Sequence, residues 1–202
     1  KYVVNCIGVI KPYVNKNTTE TIFINSYLPH LLAKYHPKLI QITTDCVFSG
    51  RDGKYNESSI HDEMDLYGRS KSLGEPNNCM VIRTSIIGEE LHNHASLISW
   101  AKSQKGNSVN GFINHHWNGI TTKQYGRVII KIINNELYNH GLYHVYSPVD
   151  ITKYGLLKII NERFQLRLDI KKKDAPVKTN RTLRTNSKLN TELNVPDLLK
   201  QF

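Results

Sequence analysis

A tyrosine and a lysine four residues apart are the residues of this chain best suited to acid–base chemistry. On a helix, that spacing puts the side chains of Tyr67 and Lys71 on one face, one turn from each other. An ammonium beside a phenol pulls the phenol pKa down from about 10 toward neutrality, so Tyr67 could exchange a proton at working pH. Thr44 ends an apolar run, 39–43, and could hydrogen-bond the same substrate oxygen. The spacing also occurs by chance in many helices, so the pair alone predicts little.

Short apolar runs that alternate with helical patterns are the elements that must position these side chains. Strands are predicted over 2–9, 39–43 and 80–88. The alternation of strand and helix favours a parallel sheet with right-handed crossovers, in which ligands bind at the carboxyl ends of the strands. A helix is predicted over 18–35, interrupted by Pro29. Its spacing predicts one apolar face made of Ile24, Tyr27, Leu28, Leu31, Leu32 and Tyr35.

The second half of the chain continues the pattern after a less regular stretch. Residues 106–119 are rich in Asn, Gly and His and predict a loop-rich insertion. Thr121 or Thr122 can cap a helix with 3.6-residue apolar periodicity, and a strand is predicted over 142–146. Asp150 is the predicted cap of a further helix.

These elements predict two regions. Residues 1–88 form a partial Rossmann-like core, and residues 89–202 form mainly a substrate-binding region. The helix over 121–135 and the strand over 142–146 are expected to pack back on the core.

The composition excludes several classes of protein. The 202 residues are 39% hydrophobic and 22% charged, as in an ordinary soluble domain, and no apolar run is long enough to span a membrane. The three cysteines are odd in number and widely spaced, which excludes a disulfide framework and predicts a cytoplasmic protein. His92, His94, His115 and His116 lack Asp or Cys partners at metal-ligand spacing, so no metal site is predicted.

The formal charge of +10 is concentrated toward the C-terminus. Such a basic stretch could attract a nucleotide pyrophosphate or a nucleic acid. It lacks the interleaved aromatic residues of a single-strand binder, so a nucleic-acid partner is not predicted.

Three phrases of the sequence carry a resemblance to a known family: TTDCVFSGRDGKYNE, DLYGRSKSLGE and VIRTSIIG. A strand that ends in Thr-Thr-Asp upstream of Tyr-Gly-x-Ser-Lys resembles the extended short-chain dehydrogenases/reductases, and within them the dTDP-4-dehydrorhamnose reductase branch. The resemblance implies an α/β fold, a Rossmann-like parallel sheet with a smaller C-terminal α/β substrate-binding region. The family's Gly-x-x-Gly-x-x-Gly loop does not occur, and the chain enters a strand directly after Lys1. We therefore expect the C-terminal part of a longer protein, without its first βαβ segment.

The resemblance also implies an activity, the reduction by NADPH or NADH of the C4 ketone of a nucleotide-linked 4-keto-6-deoxy sugar, as in rhamnose biosynthesis. Tyr67 would donate the proton, Lys71 would tune Tyr67 and bond the nicotinamide ribose, and Thr44 would orient the carbonyl. The implied cofactor contacts are Gly8, Val9, Ile10, Thr43, Tyr67, Lys71 and Arg83. The implied substrate contacts are Thr44, Asp45, Ser85, Trp117, Asn118 and Arg181. A sugar nucleotide is the expected partner, and a homodimer is the candidate assembly.

Several roles stay open between two interpretations. Cys46 has the spacing from Thr44 at which related epimerase/reductases use a cysteine as an acid/base, but a packing cysteine at the strand end is the favoured interpretation. Asp45 either touches the sugar or caps the following loop. Asn25 falls where relatives carry an asparagine, and it either bonds backbone near the active site or lies exposed. Ser85 stands near the position at which many relatives carry a stacking aromatic, a departure that leaves the product sugar open.

Two rival functions come from other classes. A non-catalytic relative could keep the fold and bind a partner enzyme or a nucleotide, as a regulatory subunit does. The intact set of Thr44, Tyr67 and Lys71 argues against that reading. A basic nucleic-acid-binding module is supported by net charge alone.

Overall fold

The computed structural model describes residues 1–90 and 96–202. Along the chain the elements are β1 (Val3–Asn5), α1 (Thr18–Ile22), a π-helical turn (Phe23–Tyr27), α2 (Leu28–Tyr35), β2 (Leu39–Thr44), a 3-10 turn (Asp45–Val47), α3 (Leu66–Leu73), β3 (Met80–Thr84), β4 (Ile86–Ile87), α4 (Leu97–Ser103), β5 (Ser108–Phe112), β6 (His115–Trp117), β7 (Ile120–Thr121), α5 (Thr122–Asn134), β8 (Gly141–His144), β9 (Ile151–Thr152), α6 (Lys153–Phe164), β10 (Asp169–Lys173), β11 (Thr179–Asn180), α7 (Leu189–Leu193) and a final 3-10 turn (Leu198–Gln201). No helix in these ranges is long and apolar enough to cross a membrane.

A four-stranded parallel sheet in the order β1-β2-β3-β8 forms the core. Thr44 at the end of β2 pairs with Thr84 at the end of β3, and Asn5 of β1 pairs with Gln41 of β2. Because all four strands run the same way, their carboxyl ends meet at one edge. The predicted α/β fold is confirmed, and β8 joins the core sheet beside β3.

Helix α5 covers one face of this sheet with an apolar layer. Its residues Tyr125, Val128, Ile129 and Ile132 are buried, as the periodicity predicts. They pack in one cluster with the buried strand residues Ile40, Met80 and Ile82 and with Val145, which directly follows β8. Burying each such side chain contributes about 1.5 to 3 kcal/mol, so this layer stabilises the core by the hydrophobic effect.

The opposite face is covered by α1, α2 and α3. The predicted apolar face of the helix is wrong at Tyr27 and Tyr35, whereas Leu32 packs on the core as predicted. The predicted helix over 18–35 is divided by the π-helical turn, and Pro29 falls in the first turn of α2, where its missing N–H costs little. Tyr27 and Tyr35 are 55% and 65% exposed. The buried side chains are instead Thr21, Asn25, Ser26, Pro29 and Ala33. Asn25 and Ser26 point inward because they bond polar groups of Val9 and Ser70, whereas Ala33 packs on an apolar cluster.

The substrate-side region holds two small sheets, β10-β5 and β11-β6-β9. The loop predicted over 106–119 is therefore wrong, since β5 and β6 lie in it. Gly111 lets β5 approach α6 closely, because a Cβ there would lie 2.9 Å from the Tyr154 Cα. The predicted cap Asp150 is also wrong: the Thr152 hydroxyl accepts the Gly155 N–H at 3.1 Å. The Asp150 carboxylate instead accepts a hydrogen bond from Arg184 at 2.6 Å.

Candidate active site

A cavity of about 150 Å³ lies at the carboxyl edge of the core sheet. It collects six of the predicted site residues: Gly8, Ile10, Thr43, Thr44, Tyr67 and Lys71. The remaining walls are Cys6, Ile7, Ile42, Thr84 and Ile86. The motif residues identified from the sequence thus share one enclosed space with the ends of β1, β2 and β3.

Helix α3 presents Tyr67 and Lys71 to this cavity. Asp65 begins the helix by accepting the Gly68 N–H at 2.7 Å. Gly68 is required by close packing, since a Cβ there would lie 2.5 Å from the Cys46 carbonyl oxygen. The helix therefore sits directly on the turn that follows β2, which brings Tyr67 next to Thr44.

The structure changes the expected electrostatics of Tyr67. Burial raises the pKa of Tyr67, the neighbouring Cys46 and Asp45 add to the rise, and the Thr44 hydroxyl opposes it. The expectation that Lys71 pulls the pKa of Tyr67 toward neutrality is therefore wrong for the free protein, because burial dominates and raises this pKa. A protonated Tyr67 is a proton donor and not a base.

Lys71 is buried, and its ammonium lies against Gly8, where a Cβ would come within 3.0 Å of Nζ. Burial lowers the pKa of Lys71, and Glu75 acts in the opposite direction. Within residues 1–90 and 96–202, no hydrogen bond or ion pair engages this Nζ. The Thr43 hydroxyl at the same cavity is also buried without a partner in the described part of the chain. Both groups therefore have hydrogen-bonding capacity left for a ligand.

Asn25 fixes the loop that follows β1. Its side chain accepts the Val9 N–H at 2.8 Å and donates to the Val9 carbonyl at 3.0 Å. Of its two interpretations, the bond to backbone near the site is confirmed. Val9 itself turns both its backbone groups to Asn25, while its neighbours Gly8 and Ile10 line the cavity.

The turn after β2 carries three polar groups beneath the cavity. The Thr44 hydroxyl accepts the Cys46 N–H at 3.1 Å and donates to Asp45 at 3.2 Å. Burial raises the pKa of Asp45, with Arg181 the strongest opposing influence and the Ser85 hydroxyl a further one. Burial, helped by Asp45, also raises the pKa of Cys46 to about 12. At neutral pH the thiol of Cys46 is therefore protonated.

Arg83 does not reach the cavity. The side chain is fully buried, and its Nε donates to Glu75 at 3.1 Å while Nη2 donates to the same carboxylate at 2.6 Å. Nη1 and Nη2 also lie 2.8 Å and 2.6 Å from the Nε2 atoms of His144 and His61. The predicted cofactor contact is therefore not supported, because all three side-chain nitrogens of Arg83 already have partners within the fold, among them Glu75 just beyond the end of α3.

Arg181 lies near the turn and is also engaged. Its Nε donates to the Phe48 carbonyl at 2.8 Å, and Nη2 donates to Glu63 at 2.8 Å. Burial works to lower the pKa of Arg181, but Cys46, Asp45 and Glu63 together raise it. Arg181 thus contributes positive charge to the Asp45 side of the site, where its substrate role remains a prediction.

The predicted substrate contacts Trp117 and Asn118 differ in how much of each side chain is free to meet a ligand. Trp117 is 7% exposed, yet one of its faces lines a cavity beside Ser85. Asn118 is 1% exposed, and its amide donates to Asp150 at 3.1 Å and to the Leu183 carbonyl at 3.0 Å. Both amide protons of Asn118 are therefore used within the fold.

The predicted histidine positions are only partly described, since His92 and His94 lie outside the described residues. His115 and His116 are on β6. Within residues 1–90 and 96–202, no group of three or more His, Cys, Asp or Glu side chains could hold a metal ion.

The family model described as the RmlD substrate binding domain matches residues 16–196. The chain belongs to this family. The predicted resemblance is thereby confirmed.

Curated relatives of this RmlD-family chain include two kinds of protein. Methionine adenosyltransferase 2 subunit beta from Danio rerio is 26% identical over 181 residues, which is 81% of this chain and 56% of that protein. The dTDP-4-dehydrorhamnose reductase of Aggregatibacter actinomycetemcomitans is 28% identical over 141 residues, 63% of this chain and 47% of the reductase. The chain thus spans about half the length of these relatives.

Solved structures share the fold of this RmlD-family chain. The Bacillus anthracis dTDP-4-dehydrorhamnose reductase in complex with NADP matches with a TM-score of 0.80 at 19% identity, covering 98% of this chain and 77% of that one. A hypothetical dTDP-4-dehydrorhamnose reductase from Sulfolobus tokodaii matches with a TM-score of 0.75 at 22% identity, covering 96% and 72%.

Sequence reasoning missed Lys153, which the RmlD-family fold brings to the site. This first residue of α6 is close enough to Asp45, Cys46 and Arg181 for their charges to act on its pKa. A signal was present, because a lysine opens a helix whose first turn contains no acid. A cation there opposes the helix macrodipole and is unfavourable for stability.

Proposed function

We propose that this chain carries the catalytic site of an NAD(P)H-dependent reductase that acts on the C4 ketone of a nucleotide-linked 4-keto-6-deoxy sugar. The observation that carries the proposal is the shared cavity of Thr44, Tyr67 and Lys71 at the carboxyl edge of the sheet. Membership of the RmlD family and the fold shared with dTDP-4-dehydrorhamnose reductases support the substrate class.

The cavity fits a nicotinamide nucleotide. The Thr43 hydroxyl and the Lys71 ammonium have unused hydrogen-bonding capacity there, and Gly8 leaves room beside Lys71. These residues would hold the nicotinamide ribose and amide. Bound NADPH or NADH supplies the hydride, and the solved relatives include structures with NADP and with NADPH.

Tyr67 is the proton donor in this proposal. Because burial holds its pKa above the ordinary value, the phenol carries its proton at neutral pH and can deliver it to the alkoxide oxygen formed at C4. The Thr44 hydroxyl, which donates to Asp45 in the free protein, would turn its one proton to the same oxygen and orient the carbonyl. Lys71, one helical turn along α3, offers the ammonium that compensates the resulting phenolate.

The test is cofactor oxidation measured with a nucleotide-linked 4-keto-6-deoxy sugar. We expect Tyr67→Phe to lower turnover by roughly a hundredfold or more, the usual scale of a lost general acid, without loss of the fold. Tyr35→Phe, at a tyrosine that is 65% exposed, is the matched control and should leave turnover unchanged. Turnover by Tyr67→Phe within a few-fold of the wild type would contradict the assignment.

Combined epimerisation is a finer proposal that rests on Cys46. A thiol with a pKa of about 12 can donate a proton but is a poor base, which favours the packing interpretation. Solvent deuterium uptake at the carbons beside the ketone measures epimerisation directly. Uptake that is present in the wild type and lost in Cys46→Ser would establish the epimerase role.

A non-catalytic regulatory or nucleotide-binding subunit is the second candidate function. The observation in its favour is that relatives from Danio rerio and Xenopus tropicalis are the beta subunit of methionine adenosyltransferase 2. Measurements of turnover and of nucleotide binding separate the two candidate functions. A reductase shows turnover that depends on Tyr67, whereas a non-catalytic subunit binds nucleotide without turnover.

A further inference from the structure

Two cavities on the substrate side of the site share two wall residues, Lys153 and Leu97. The inner cavity has a volume of about 220 Å³ and includes Ser85, Gly88 and Trp117 in its wall. The outer cavity has a volume of about 270 Å³. Its walls come from α4, β5, β6 and α6: Leu97, Trp100, Asn110, Phe112, His115, Lys153 and Leu157. Lys153 and Leu97 line both, so a molecule that extends from one cavity into the other passes these two side chains.

Lys153 carries the positive charge at the junction of the two cavities. Within residues 1–90 and 96–202, no carboxylate lies within ion-pairing distance of its Nζ. Asp45, the acid whose charge acts on Lys153, accepts a hydrogen bond from Thr44 at 3.2 Å. Burial lowers the pKa of Lys153, and Asp45 acts against that change. A half-buried cation with no carboxylate partner in the described part of the chain is unfavourable for the fold, and an anionic ligand would remove that cost.

The outer cavity has the character of a site for a planar ring. Its wall combines the rings of Trp100, Phe112 and His115 with the polar amide of Asn110. Trp100 is 41% exposed, so its face is available for stacking. A heterocyclic base in the outer cavity and a sugar near Asp45 would leave the connecting phosphates beside Lys153.

We propose that Lys153 is the specificity-determining residue that binds the diphosphate of a nucleotide-linked substrate, with the base in the outer cavity. One part of this assignment rests on the proposed function: the sugar is taken to point toward Tyr67. Recognition of the nucleoside diphosphate itself involves neither cofactor nor turnover.

The experiment is a titration followed by tryptophan fluorescence. The probes are UDP, dTDP, GDP and CDP, each paired with its uncharged nucleoside. The chain has two tryptophans, and Trp100 and Trp117 line the outer and the inner cavity respectively. We expect at least one diphosphate to bind the wild type roughly tenfold or more tightly than its nucleoside, because a charge-assisted contact to phosphate is gained.

Lys153→Met should reduce that preference to about onefold while leaving nucleoside binding unchanged, whereas Lys153→Arg should retain most of it. Lys158→Met is the matched control, since Lys158 is exposed on the same helix, and it should behave like the wild type. An unchanged preference in a folded Lys153→Met variant would overturn the proposal. So would an equal loss in Lys158→Met, or a wild type that binds none of the four diphosphates. A missing reductase activity with the preference intact would refute the proposed function and leave this assignment standing.

Discussion

The two faces of the core sheet are built on different principles. The α5 face is an apolar layer in which Tyr125, Val128 and Ile132 pack on strand residues. The α3 face is polar toward the carboxyl edge, where Asn5 donates to Gln41 at 2.8 Å and Arg83 is bound to Glu75. Farther from that edge the same face holds an apolar cluster that includes Leu39 and Val81. Apolar packing is non-directional and tolerant, whereas a buried polar network depends on every partner. The site residues Thr43 and Lys71 belong to the polar side, so catalysis and specific hydrogen bonding share one face.

This comparison predicts that removing one partner of the buried polar network lowers the free energy of unfolding more than removing one partner of an exposed ion pair. Arg83→Leu should lower the free energy of unfolding by about 3 to 5 kcal/mol, because Glu75 is left as an uncompensated buried charge. Arg51→Leu is the matched control, since Arg51 pairs with Asp62 while its side chain is 75% exposed, and its loss should cost about 1 kcal/mol or less. Urea unfolding of both variants measures the difference. Equal and small losses would mean that the network is not a source of stability.

The polar face should also make stability depend on pH. Burial, together with the charge of Arg83, lowers the pKa of His144 from 6.5 to about 4. The folded state therefore holds His144 neutral. The contribution of His144 to the free energy of unfolding is complete above the unfolded-state pKa of 6.5. As the pH falls from there through about 4, on the order of 3 kcal/mol should be lost, since only the unfolded chain takes up the proton.

Urea midpoints measured across this window, for the wild type and for His144→Asn, give the dependence. His140→Asn, at an exposed histidine, is the control and should follow the wild type. A wild-type stability that is flat across the window would show that His144 protonates without cost, against the network described for the polar face.

Two glycines, one on each side of the core sheet, give a smaller test of the difference between the two faces. Gly74 follows α3 on the polar side, and a Cβ there would overlap the Asn25 carbonyl oxygen, so Gly74→Ala should cost about 2 kcal/mol. Gly126 lies on the outer side of α5 with open space around it, so Gly126→Ala should stabilise the fold by about 0.5 to 1 kcal/mol. Thermal unfolding of the two variants should therefore shift in opposite directions. A stabilised Gly74→Ala protein would show that α3 does not pack tightly on the π-helical turn.

The sequence predicts the apolar face of the core sheet better than the polar face. Helix α5 was predictable because its buried residues are apolar and periodic, and α3 was predictable from its motif. The face of α1 and α2 was not, since Asn25 and Ser26 are buried against other polar groups, which periodicity assigns to the surface. The full engagement of Arg83 and Asn118 could not be predicted, because it includes His144 and the Leu183 carbonyl, which lie 61 and 65 residues away in sequence.

Lys153 escaped prediction for a related reason. Its significance depends on which cavities α6 faces. Strands β5 and β6, which contribute walls to the outer cavity, occur in a stretch whose composition predicts a loop. Glycine and asparagine in β5 obscure the strand pattern there, although the close packing of α6 requires the glycine.

The most direct test of the central claim is the transfer of label to the sugar. The protein is given NADPH deuterated at the transferable C4 position together with dTDP-, UDP- or GDP-linked 4-keto-6-deoxy sugars, and the products are analysed by mass spectrometry and NMR. We predict one deuterium at C4 of the reduced sugar for at least one of these substrates, and its loss in Tyr67→Phe. Binding of the cofactor and the sugar nucleotide without any transfer of deuterium would contradict the account and would favour the non-catalytic subunit.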